Sequence, residues 1–164
     1  MGTFKKNILA LVFMFVAGFC FAQQISFQIL QHDETSEAVT EQSYTVEDQL
    51  IEMFFENGYI VTNSPTVAVN SNAEAAKLWK AGLKEAKDGY SNFFIQINLY
   101  YTTESLSPKG EATLKKADWT LVYTKTGEPK AKNTIKSKQS LDVKNDLYLI
   151  SADIFDEIKK AIKA

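Results

Sequence analysis

The sequence predicts an α/β (α+β) fold: a two-layer mixed sheet of about five strands with three helices mainly on one face, in the order β-α-β-α-β-β-β-α. Three observations carry this. Three separate segments hold apolar residues at helical spacing. The stretch from Asn92 to Thr103 alternates residue by residue, as a strand does. The turn Thr126-Gly127-Glu128-Pro129 joins two further alternating stretches, which should form an antiparallel hairpin.

Taken in order, Ile25, Phe27 and Ile29 alternate with Ser26 and Gln28 in a half-buried first strand over Gln24 to Gln31. His32 to Ser43 has acids and hydroxyls without periodicity, an exposed connection. Thr45 is expected to cap the first helix, with Asp48 three residues on, and Val46, Leu50, Met53 and Phe54 form its stripe. Gly58 suits the left-handed position that ends a helix, and Tyr59 can fold back over the last turn. A strand then runs from Tyr59 to Val69, with a break at Ser64-Pro65, and a strand-helix-strand order favours parallel pairing.

The second helix opens on Ser71-Asn72-Ala73-Glu74, which has capping-box spacing. Its stripe is Ala75, Leu78, Trp79, Gly82, Leu83 and Ala86, and Gly82 within it predicts close approach to the sheet. In the long central strand Phe93, Ile95, Ile97, Leu99 and Tyr101 should face the helices, with Phe94, Gln96, Asn98 and Tyr100 on the other face. After a polar connection through Ser107-Pro108-Lys109-Gly110, Trp119, Leu121 and Tyr123 alternate with Asp118, Thr120 and Val122. Lys130 to Gln139 follows as a strand whose polar face is Lys130, Lys132, Thr134, Lys136 and Lys138. A last helix from about Asn145 carries Leu147, Ile150, Ile154, Phe155, Ile158 and Ile162, its acids preceding its lysines as the helix dipole favours.

Residues 1–22 read as a signal peptide: a basic start at Lys5 and Lys6, an apolar run, and Cys20-Phe21-Ala22 before Gln23. Retention as an uncleaved anchor, or a lipid on Cys20, are the alternatives, although Phe19 stands where lipoprotein signals want a small residue. Cleavage leaves residues 23–164, about 140 residues, enough for one domain with a core. The mature chain then has no cysteine and no transmembrane segment, and it is placed in the periplasm or outside the cell. Losing two lysines and no acid takes the formal charge from −2 to −4. Every basic residue is lysine, and with the acidic balance this argues against a nucleic-acid partner.

The helix-Gly-aromatic-Ile-Val run from Leu50 to Val61, the passage from Ala86 through Gly89 to Leu99, and the Thr126-Gly127-Glu128 turn carry a family likeness. The chain resembles a group of small envelope α/β domains: the N-terminal domain of the Tol-system translocation protein, the curli-secretion lipoprotein and the penicillin-binding-protein activator lipoprotein. The resemblance implies an envelope interaction module without an active site.

The residues agree. His32, Asp33 and Glu34 are adjacent in sequence and cannot all turn to one ion, so they read as a solvated strand end, neither metal site nor general base. Glu52 and Glu56 lie on the exposed face of a helix, and no glycine pattern forms a phosphate loop. No catalytic residue, cofactor or metal is expected, and the chain reads as no enzyme.

Charge is more informative. Between Gln23 and Asn70 there are eight acids and no lysine, whereas Lys109 to Lys144 holds nine lysines against four acids. Lys130, Lys132, Lys136 and Lys138 either guard a sheet edge or dock on an envelope protein, a cell-wall polymer or another anionic surface. Phe94 and Tyr100 are candidate contacts with the same partner, unless the loop after the first strand or the hairpin covers them. A carrier with an aromatic-lined pocket for a small apolar ligand is the alternative function.

Overall fold

The computed structural model describes residues 22–164 except Thr35, Pro108, Gln139 and Leu141; the expected signal peptide, with Cys20, lies outside the described residues but for Ala22. The elements are β1 (Gln24–His32), α1 (Glu41–Glu56), β2 (Ile60–Ala68), α2 (Asn72–Asp88), β3 (Phe93–Leu106), β4 (Ala112–Tyr123), β5 (Pro129–Lys136) and α3 (Val143–Lys163). They form one five-stranded sheet in the order β2-β1-β3-β4-β5. β1 pairs parallel with both β2 and β3, and β3–β4 and β4–β5 pair antiparallel. The expected mixed α/β architecture is therefore present. No helix of the described residues is long and apolar enough to cross a membrane.

Alternation along the strands builds the main core. Ile25, Phe27 and Ile29 of β1, Phe93 to Leu99 at every second position of β3, and Trp119 and Leu121 of β4 turn to one face. Against them lie Val46, Leu50 and Phe54 of α1 and the stripe of α3 from Leu147 to Ile162. Each such side chain contributes roughly 1.5–3 kcal/mol when fully removed from water.

Two of the three helices thus share a face, and α2 covers part of the other. The strand order explains this. β2 and β3 flank β1 on opposite sides, so two right-handed crossovers place their helices on opposite faces. At Gly82 α2 comes so close that an added Cβ would lie 2.7 Å from Phe94 Cζ and 3.1 Å from Gln28 Oε1.

Helix ends follow the sequence with one correction. Gly58 is left-handed (φ 81°), Tyr59 N–H donates to Phe54 O at 3.1 Å and Gly58 N–H to Phe55 O at 3.0 Å, the Schellman pattern. Tyr59 folds back with its ring 5.7 Å from that of Phe54. The N-cap of α1, however, is Thr40 and not Thr45, whose hydroxyl donates to Glu41 O inside the helix. The extra turn has no apolar signal because the buried residues in it, Gln42 and Ser43, are polar.

What anchors that turn is Gln31, fully buried at the end of β1. Its Oε1 accepts from Thr40 N (2.8 Å) and Ser43 Oγ (2.7 Å), and its Nε2 donates to Ala38 O (2.9 Å). Ser43 Oγ in turn accepts from the Tyr101 hydroxyl at 2.8 Å. Burial pushes the Tyr101 phenol up to about 12, against the smaller opposing effect of its hydrogen bonds. A raised pKa keeps the neutral form, so the stability it supports is whole below pH 10 and is lost as pH climbs through about 12. Tyr101→Phe is expected to flatten the decline in denaturation midpoint over that interval; an unchanged decline would show that Tyr101 does not cause it.

The strand break foreseen at Ser64-Pro65 is a bulge: Gln28 pairs with Ser64 but Leu30 with Val67, leaving an extra residue on β2. Proline is tolerated here because β2 is an edge strand, and it blunts that edge against pairing with another chain.

Candidate interaction face

α2 packs on β1 and β3, and the second face of β4 and β5 lies beyond it. Register decides which side chains meet there. Lys116 stands opposite Lys136, Asp118 opposite Thr134 and Thr120 opposite Lys132, while Tyr100 pairs with His32 on one side and Lys116 on the other. Lys132, Thr134 and Lys136 are exposed.

A continuous strip of contacts orders this face. His32 Nε2 meets Asn98 Oδ1 at 2.9 Å, and the His32 ring stacks on Tyr100 with centroids 4.5 Å apart and planes at 13°. Lys116 Nζ lies 4.1 Å over the Tyr100 ring and 2.8 Å from Asp118 Oδ2, whose other oxygen accepts from Thr134 Oγ1 at 2.7 Å. Tyr100 is therefore sandwiched between strands, with little ring face left for a partner. Its hydroxyl is held above the usual tyrosine value, first by burial and then by the Asp118 charge, so it stays a donor.

The cations divide into two sets. Among the described residues Lys132, Lys136 and Lys138 form no ion pair. Placing Lys136 directly across from Lys116 costs stability, because like charges face each other. Lys130 is tied down by hydrogen bonds instead, although it borders the same stretch of surface as Lys132. It falls at the register shift of β5, where its Nζ donates to Tyr123 Oη (2.7 Å) and to Ile162 O (3.3 Å) at the end of α3. Phe94 is also removed from the candidate surface: it is fully buried beneath Gly82 and Trp79 of α2. The covering element is α2, not the loop or hairpin the sequence suggested.

Sequence reading missed Lys116, Asp118 and His32 as members of the strip. Their signal was the two-residue period of β4 and β1, usable only once the strand neighbours are known.

A separate crevice of about 670 Å³ opens at the carboxyl ends of β1, β2 and β3, beside His32, Asp33, Asn70, Tyr100 and Glu104. Parallel strand ends are a common ligand position. Asp33 is buried there, and Lys115 lies 3.7 Å from Glu104. No three His, Cys, Asp or Glu side chains among the described residues are gathered as a metal would need.

Fold and face together define a small α/β domain with a lysine-rich strip of sheet beyond the flank of α2. The family described as "Uncharacterised protein" matches residues 24–163, and the chain belongs to it. No curated protein matches the chain. Among solved structures, the PelC dodecamer from Paraburkholderia phytofirmans shares the fold: TM-score 0.51 and 14% identity over 81% of this chain and 84% of that one. TolB from Acinetobacter baumannii aligns over 86% of this chain and 28% of its own, with TM-score 0.45 and 12% identity. The LpoB C-terminal domain from Salmonella enterica aligns over 77% and 93%, with TM-score 0.36 and 9% identity.

Proposed function

We propose that the protein is an exported, non-catalytic component of the bacterial cell envelope, periplasmic or secreted, that binds an anionic envelope partner through Lys132, Lys136 and Lys138. One observation carries this: Lys132 and Lys136, without an ion pair among the described residues, share the part of the sheet face beyond α2, Lys136 opposite Lys116 at a cost in cross-strand repulsion, and exposed Lys138 follows just past the end of β5. β5 is itself an edge strand, so the same lysines also keep that edge from pairing with another chain. His32, Tyr100 and Asp118 hold the face in shape, with Tyr100 acting through its neighbours. The ligand-sized crevices are open to solvent, which gives no support to a carrier of apolar ligands.

The test is retention on immobilised envelope extract. Joint replacement of Lys132, Lys136 and Lys138 by glutamate is expected to weaken binding about tenfold or more, and salt raised from low to physiological strength should weaken the native protein markedly. Binding that ignores both salt and charge reversal would sink the proposal.

A further inference from the structure

Where α2 stops covering the sheet, its flank and the exposed face form a groove of about 550 Å³. Trp79 of α2 is its wall, Gln96 of β3 and Thr120 of β4 its floor, and Lys132 of β5 its far rim. Trp79 is half-buried, its ring meeting Phe94 at 5.4 Å and 62°, and the rest of the indole borders the groove. Gln96 is held in place by donating from Nε2 to Gln28 Oε1 at 3.2 Å. Among the described residues the Thr120 hydroxyl has no protein partner, and Lys132 has no carboxylate.

These groups suit one chemistry. An indole packs on the C–H face of a sugar ring, an amide and a hydroxyl match ring hydroxyls, and an ammonium matches a carboxylate. An acidic peptide would use the lysines but would leave the amide and hydroxyl floor without a purpose. Lys136 lies four strand residues beyond Lys132, about 13 Å away at strand rise, a span that calls for a chain and not one sugar. We infer that the groove binds an acidic polysaccharide bearing uronate groups, seated on Trp79, Gln96 and Thr120 and held by Lys132 and Lys136. This rests on the anionic-partner reading and names the partner's chemistry.

Titration with oligogalacturonate, followed by tryptophan fluorescence, is the experiment; polyglutamate and a neutral dextran oligomer are run beside it. Trp119 is 3% exposed, so a fluorescence change reports Trp79 in the native protein, and titration calorimetry reads the affinity of the variants. Oligogalacturonate should bind, and Trp79→Ala should weaken it about tenfold, the size of loss usual for a tryptophan anchor. Thr120→Val, which leaves the packing of α2 alone, should also weaken it. Polyglutamate binding as tight as oligogalacturonate, or dextran binding equally well, would overturn the groove assignment, as would indifference to both substitutions. Polyglutamate binding alone would leave the lysine face standing; no binding of either polyanion would remove both.

Discussion

Gln31→Leu is expected to lower the stability of the fold by about 3 kcal/mol, through lost hydrogen bonds and not lost volume. The leucine fills similar space, but it leaves Thr40 N–H and the Ser43 hydroxyl without their acceptor and Ala38 O without its donor. Each buried group left unsatisfied costs roughly 1–3 kcal/mol, and Ser43 relays the loss to Tyr101. The first turn of α1 should fray, since Thr40 is its cap. Urea unfolding reads the change as a lower midpoint at unchanged slope, and hydrogen exchange should quicken at Ser43 and Tyr44. A shift under about 1 kcal/mol would mean that water replaces the amide at little cost.

Gly82→Leu is expected to cost at least about 3 kcal/mol, because small-to-large changes in packed sites already cost 1–3 and the first added atom has nowhere to go. Phe94 is fully buried and Gln28 Oε1 is bonded to Gln96, so neither yields freely. Gly82→Ala sharpens the test. On a free helix alanine gains up to about 1 kcal/mol over glycine, so a net loss in the folded protein isolates the contact with the sheet. Thermal melts of the two variants measure it, and a stabilised Gly82→Ala would show that α2 rides higher than the structure has it. A displaced α2 would also carry Trp79 away from the groove.

Both positions show what a chain tells in advance. Gly82 stood on an apolar stripe where only a close neighbour explains it, so its contact was legible although the face was not. Gln31 gave no sign. It sits at a polar position in an alternating strand, and its partners Thr40, Ser43 and Tyr101 come together only through tertiary packing. The lysine row was legible as far as strand period goes. The displacement of Lys130 was not, because a register shift moves one residue without altering the pattern around it.

Local rules were enough for the kinds of element, for the Schellman stop at Gly58, for the hairpin and for the separation of acidic from basic residues along the chain. They work because helix and strand periods and left-handed glycines depend on near neighbours only. Tertiary structure alone decided that β1 lies between β2 and β3, which sends α2 to the second face, buries Phe94, and leaves Lys132 opposite Thr120 and Lys136 opposite Lys116, the neighbour of Tyr100. A strand's period says which residues share a side, but which strands lie next to each other is set by crossover handedness and long-range pairing.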